Sequence, residues 1–218
     1  MIKRIIFDLD NVLIDWKDEY DNAIQESFDE IGYEYNSKTI EDFLKFRSEY
    51  EDNIKFYSKK DMLDYINTKM ERKIPDEFID LYIKKLGTKV PEKLPNSYYD
   101  TLEYLSNKYE LVVLTNWFEE TQIERLKRVD IIKYFKNVYT GEQVAKPFKQ
   151  SFINAMNGFK PEECAMVGDN LENDIKGAKN AGILKLIWKD INNKKQENLK
   201  KLNGVDVVNK FEELKNIL

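Results

Sequence analysis

The chain has 218 residues with 35 basic and 40 acidic side chains, a net charge of -5, a pI near 5.1, one cysteine and no histidine. The lack of histidine removes Ser-His-Asp and Cys-His triads and every histidine-containing zinc site, and the single Cys164 excludes an intrachain disulfide. An acidic balance argues against a nucleic-acid surface, and 34% charged residues with a mean hydropathy of -0.64 argue against a membrane protein.

The length suits one α/β domain that carries an inserted subdomain. Met1-Ile2-Lys3-Arg4 leads straight into a short strand with no apolar leader segment, so a cytoplasmic location is expected. That strand stops abruptly on two carboxylates, in Ile5-Ile6-Phe7-Asp8-Leu9-Asp10. Ligands of open parallel sheets bind outside the carboxyl ends of the strands, which places Asp8 and Asp10 where a substrate arrives.

Residues 16–86 contain no convincing strand. Trp16, Tyr20, Ile24, Phe28 and Ile31 recur at helical spacing, and Ile40, Phe43, Leu44, Ile54 and Tyr57 continue in the same style. Ser58 with Asp61 reads as a helix cap, and Pro75 as the opening of a further helix through Phe78, Ile79, Tyr82 and Leu86. The aromatic residues at this spacing are most simply the insert's own core.

From about Pro91 strands alternate with helices: helix 97–108, strand 111–115, helix 120–128, strand 137–140, helix 149–157, strand 164–168, helix 171–181 and strand 184–188. A polar connection over 189–203, a strand at 205–208 and a helix at 210–217 follow. This alternation predicts an α/β fold with a parallel sheet covered on both faces, with the first strand as a member. The core is then 1–15 with 91–218, and 16–90 the helical insert. Cys164, just before an apolar strand, reads as a small packing residue.

Further strand ends repeat the chemistry of the first. Leu111-Val112-Val113-Leu114 runs into Thr115-Asn116, Ala165-Met166-Val167 runs into Gly168-Asp169, and Lys146 precedes Pro147, whose ring pre-organises a helix start. An isolated Asp-x-Asp is usually a solvated loop pair. Here Asp169 and Asp174 join it, and four acids at one sheet edge repel one another unless a cation neutralises them. Hard oxygen ligands suit magnesium.

These four segments, Phe7-Asp8-Leu9-Asp10, Leu114-Thr115-Asn116, Ala145-Lys146-Pro147 and Val167-Gly168-Asp169-Asn170-Leu171-Glu172-Asn173-Asp174, resemble the ordered motifs of the haloacid dehalogenase (HAD) superfamily. The resemblance spans the chain and implies a HAD-like modified Rossmann core with a C1-type helical cap after the first motif. It implies that Asp8 is the nucleophile and forms an aspartyl-phosphate, and that Asp10 protonates the leaving group and then deprotonates water. Magnesium would be held by Asp8, Asp10 through its backbone carbonyl, and Asp169, with Asp174 as a ligand or a partner through water. Thr115, Asn116 and Trp117 would line the phosphate site, and Lys146 would neutralise Asp8 and the phosphate.

The chain departs from the pattern at two places. Asn11 and Val12 stand where Gly and Thr are common, and Asn tolerates the left-handed conformation. Trp117 stands where Gly is frequent; it is either a packing residue under the cap or a platform for a substrate ring. The function expected is a magnesium-dependent phosphatase of a small phosphorylated metabolite, nucleotidase-like or acting on a sugar or glycolate phosphate. A phosphomutase, a dehalogenase and a non-catalytic interaction protein are the alternatives; the second motif-I acid, Asp10, favours the phosphatase over the dehalogenase. The expected partners are the metabolite alone, without nucleic acid or membrane, in a monomer or homodimer. Trp16, Lys17, Lys59 and Lys60 are the guesses for cap residues that face substrate.

Overall fold

A computed structural model describes residues 1–52, 54–194 and 203–218. Six strands form one parallel sheet in the order β3-β2-β1-β4-β5-β6: β1 (Arg4–Phe7), β2 (Glu110–Leu114), β3 (Asn137–Tyr139), β4 (Cys164–Gly168), β5 (Lys185–Lys189) and β6 (Val205–Val208). The continuous apolar run of β1 follows from its central place, since a strand with neighbours on both sides and helices on both faces meets no water.

The pleat sends Ile5 and Phe7 to one face and Ile6 to the other. On the first face they meet α5 (Asn96–Ser106), α6 (Glu119–Arg128) and a 3-10 turn, Phe211–Asn216, through Leu102, Leu126 and Phe211. On the second, α8 (Lys149–Met156), which follows the single turn α7 (Gly141–Val144), and α9 (Gly177–Asn180) supply Phe152, Ala155 and Ala178. Cys164 is wholly buried there, and burial pushes its thiol up to about 11, as suits a packing residue.

Between β1 and α5 lie α1 (Asn22–Glu30), α2 (Ser37–Glu51), α3 (Lys59–Asn67) and α4 (Glu77–Gly87). They share an aromatic core in which Phe28 stacks on Phe78 at 4.5 Å and Phe43 meets Tyr82 edge-on at 5.4 Å. The Ser58 hydroxyl accepts from Asp61 N at 3.2 Å and caps α3.

Several expectations shift: the helix expected over 210–217 is the 3-10 turn Phe211–Asn216, and α4 opens at Glu77, two residues after Pro75. Helix α2 ends at Glu51 because Asp52 turns extended, with ψ 116, so Ile54 and Tyr57 fall outside any helix. The segment after β4 is a wide π turn, Leu171–Lys176, before α9, because Asn170 Oδ1 takes the amides of Glu172 and Asn173 and sets the entry. Helix α8 starts only at Lys149, so Pro147 precedes it in a loop, after a cis bond, rather than opening it. Most of the expected polar connection, at 195–202, lies outside the described residues.

Candidate active site

The strand register sets the site. Phe7 pairs with Val113 and Val167, so Asp8 stands level with Leu114 and Gly168, and Thr115 and Asp169 follow one residue later. The carboxyl ends of β1, β2 and β4 thus bring Asp8, Asp10, Thr115 and Asp169 to one edge. Beyond β1 the chain coils tightly, with the amides of Val12, Leu13 and Ile14 all donating to Leu9 O, and Val12 buried in the core. This coil needs a left-handed residue, and Asn11 adopts φ 59. Its side chain works at both ends: Oδ1 accepts from Trp16 N at 3.0 Å and Nδ2 donates to Asp169 Oδ2 at 3.2 Å.

Lys146 is the centre of charge. Its Nζ lies 2.6 Å from both Asp8 Oδ1 and Asp174 Oδ1, with all three side chains buried. Asn116 positions it, because Oδ1 accepts from Lys146 N at 2.7 Å and Nδ2 donates to Lys146 O at 3.1 Å. The Asn116 side chain therefore acts on the lysine loop. Asp174 reaches in across Gly168, where a Cβ would come within 2.3 Å of it; only glycine leaves room. Trp188 Nε1 donates to Asp169 O at 2.6 Å and holds that loop from β5.

Carboxylate oxygens of Asp8, Asp169 and Asp174 all lie within 4.8 Å of one another. Burial first, and then the charge of Asp174, pushes the Asp8 carboxyl well above the carboxylate range, against the pull of Lys146. Burial, with Asp174 again, pushes Asp169 up to about 6. For Lys146 burial opposes the charge, but Asp174 and Asp8 outweigh it and hold the ammonium above its ordinary range. One ammonium among three acids leaves a deficit of positive charge, and all-oxygen donors fit a hard divalent cation.

Asp10 turns away from this cluster. Its Oδ1 accepts from Arg125 Nη1 at 2.6 Å and its Oδ2 from Gln122 Nε2 at 3.2 Å, both from α6. Gln122 also donates to Thr115 Oγ1 at 2.9 Å, which ties the acid to the end of β2. Sequence reading missed Gln122 and Arg125. The available signal was a polar pair three residues apart on the face of α6 that also carries the buried Leu126.

A family model described as haloacid dehalogenase-like hydrolase matches residues 5–188. The chain belongs to that family. A glyceraldehyde 3-phosphate phosphatase of Pyrococcus furiosus is 28% identical to this hydrolase over 203 residues, 86% of this chain and 80% of that protein. The pyrimidine 5'-nucleotidase PynA of Streptococcus pneumoniae is 26% identical over 85% of this chain and 83% of its own length. Among solved structures, the magnesium-bound HAD-hydrolase YfnB of Bacillus subtilis superposes with a TM-score of 0.74 at 20% identity, covering 100% of this chain and 98% of its own. No helix among the described residues is long and apolar enough to cross a membrane.

Above the aspartates this HAD-like hydrolase has a cavity of about 440 Å³. The insert contributes Trp16, Arg47, Glu51, Asp52 and Tyr57 to its wall, and α6 contributes Gln122 and Arg125. Of the guessed cap residues only Trp16 lines it. Lys17 pairs with Glu19, Lys60 with Asp64, and Lys59 with Asp80 and Glu120. Trp117 also lines the cavity but is 9% exposed, edge-on to Tyr57, Tyr82 and Phe118, with the Arg47 guanidinium 5.8 Å from its ring. It holds φ 87, far from where a bulky residue rests. The ring packs between sheet edge and insert.

Proposed function

We propose that this hydrolase releases phosphate from a small phosphorylated metabolite in two steps, with the phosphoryl group carried on Asp8. The observation that bears the reading is Lys146, 2.6 Å from Asp8 and from Asp174, while Asp10 is held apart by Arg125. Two carboxylates two residues apart stand in different surroundings, which is how one edge supplies both a nucleophile and an acid–base group.

Asp8 attacks phosphorus, the ester P–O bond breaks, and Asp10 gives its proton to the departing alkoxide. Asp10 then takes a proton from water, whose oxygen attacks the same phosphorus; the bond to Asp8 breaks and inorganic phosphate leaves. Thr115 lies at the end of β2 beside this path, and Lys146 offsets charge on Asp8 and the phosphoryl oxygens. Asp8, Asp169 and Asp174, with the Asp10 main-chain carbonyl, would hold Mg²⁺, and the Gly168 gap lets Asp174 join them. Bound there, the ion draws charge from the phosphoryl oxygens.

The insert over 16–90 serves as the cap and 1–15 with 91–218 as the core. The phosphatase and nucleotidase relatives support a small phosphomonoester substrate, and the magnesium in YfnB supports the ion. A lone buried thiol suits the cytoplasm. The test is phosphate release from 4-nitrophenyl phosphate, with Mg²⁺ and with EDTA, by the wild type and Asp8→Asn. Metal-dependent turnover absent from Asp8→Asn is expected; turnover that survives EDTA or the substitution would overturn the reading.

A further inference from the structure

Asp10 lines the cavity with both carboxylate oxygens held by one face of α6. Arg125 Nη1 donates to Oδ1 at 2.6 Å, and Gln122 Nε2 donates to Oδ2 at 3.2 Å. The two holders also brace each other, since Arg125 Nη1 donates to Gln122 Oε1 at 2.9 Å. Each is 1% exposed, whereas the Asp10 side chain keeps one-third of its surface open. A carboxyl oxygen has two lone pairs, so this clamp fixes the plane of the group and leaves a position on each oxygen from which a proton can pass.

Two features exceed what an ion pair for stability requires. The Gln122 amide is shared: besides Asp10 it donates to Thr115 Oγ1 at 2.9 Å and to Asn116 O at 3.1 Å, so one side chain sets the acid against the end of β2. Arg125, for its part, is buried with Nε and Nη2 lacking any hydrogen-bond partner among the described residues. Unmade bonds of buried donors are costly, and well-packed apolar side chains often replace a buried ion pair without loss of stability. A guanidinium kept there at that cost points to the carboxylate it holds. The ring of Trp16, where the insert begins, lies 5.5 Å from the same guanidinium and covers it.

Resting on the phosphatase reading, we infer that Gln122 and Arg125 are positioning residues for proton transfer. They touch no reacting atom. They hold Asp10 so that its proton reaches the ester oxygen as the P–O bond breaks, and so that the same carboxylate then takes a proton from the attacking water.

The leaving group separates this role from a structural one. Phenyl phosphate and 4-nitrophenyl phosphate share a ring, but nitrophenolate departs with little need of a proton and phenolate with more, so a misplaced acid slows the first ester further. kcat/KM for both esters is measured in the wild type, Gln122→Met, Arg125→Met and Arg125→Lys, with folding checked by circular dichroism. Gln122→Met and Arg125→Met should each lose at least about tenfold more on phenyl phosphate than on 4-nitrophenyl phosphate, a part of the 10²–10⁴ that general acid catalysis typically contributes. Arg125→Lys keeps a charged donor and should hold the ratio of the two esters nearer to that of the wild type. If Arg125→Met fails to fold, Gln122→Met decides, because it leaves Arg125 on Asp10 and changes no charge. Equal losses on the two esters would overturn the inference while leaving a phosphatase. No hydrolysis of either ester by the wild type would overturn the phosphatase reading, and the inference with it.

Discussion

Arg125 donates from Nη1 to Oδ1 of Asp10 across 2.6 Å, a fully buried guanidinium set on a carboxylate that is one-third exposed to the cavity. The pair makes Asp10 a structural partner as well as a candidate acid. In Asp10→Ala the guanidinium keeps Gln122 Oε1, at 2.9 Å, as its partner on α6. Stripping one partner from a buried pair costs about 3–5 kcal/mol, and the exposure of Asp10 places this case at the low end. The urea midpoint should therefore fall in Asp10→Ala, and less in Asp10→Asn, which keeps an acceptor. An unchanged midpoint in Asp10→Ala would show that the pair carries no stability.

Asp8 should behave in the opposite way. Its buried charge is opposed by desolvation and by Asp174, so the folded protein without metal bears a penalty there. Asp8→Asn removes it and leaves Lys146 on Asp174. Turnover should vanish while thermal unfolding in EDTA occurs at the same or a higher temperature than in the wild type, a trade of stability for function that active sites often show. A clear drop in that temperature would count against repulsion within the cluster.

The same repulsion gives a pH dependence. Asp169 is raised from 3.8 to about 6 by burial and by Asp174, so between these values the folded protein holds a proton that the unfolded chain has lost. Stability of the chelated protein should thus fall as pH rises through that window, and level off above it. Mg²⁺ competes with the proton. The rise in melting temperature on adding Mg²⁺ should be small near pH 5 and larger near pH 7.5, and a metal effect that shrinks with pH would contradict the proposed ligand set.

The fold was legible because its elements carry uniform local signals. The apolar run of β1 and the strand ends at Thr115 and Asp169 announce a parallel sheet and its ligand edge without any tertiary information. Residues that act across the cavity were not legible. Arg47, Glu51, Gln122 and Arg125 look like ordinary helix-surface charges and amides; the packing of α6 beside the end of β2 brings Gln122 and Arg125 to Asp10, and the placement of α2 over the sheet edge brings Arg47 and Glu51 to the cavity. The lysines guessed for substrate contact failed for the same reason: helical periodicity identifies a buried face, whereas Lys59 and Lys60 belong to solvated ones. The end of α2 was misread because Ile54 and Tyr57 are apolar for insert and cavity packing, not for a helix stripe.

Asn11 ties the first aspartate loop to Asp169 and to the entrance of the insert at Trp16. Glycine fits φ 59 without strain, so Asn11→Gly removes the two hydrogen bonds and little else. Loss of a group that orients a metal ligand typically lowers affinity by about 10–100-fold. Calorimetric titration with Mg²⁺ in the absence of substrate should show a weaker site in Asn11→Gly, with the secondary structure unchanged by circular dichroism. Equal affinity would mean that Trp188, through Asp169 O, orients this carboxylate alone.

Trp117 combines a burden and a gain at one position. Its backbone at φ 87 is unfavourable for any residue with a side chain, by about 1–2 kcal/mol, yet its ring fills the seam among Tyr57, Tyr82 and Phe118. Trp117→Ala loses the ring and keeps the strain, and such truncations cost about 3–5 kcal/mol. Trp117→Gly loses the same ring but relaxes the backbone, so it should unfold at a higher denaturant concentration than Trp117→Ala, reversing the usual order of the two residues. If packing is the role of the ring, both variants should lose kcat/KM to a similar degree for a nucleoside monophosphate and for glycerol 3-phosphate. A stacking role for a substrate base predicts a loss confined to the nucleotide, with base–aromatic contacts worth about 1–3 kcal/mol. The enclosed ring favours the uniform loss, and kinetics on both substrates alongside the two unfolding midpoints separates the cases.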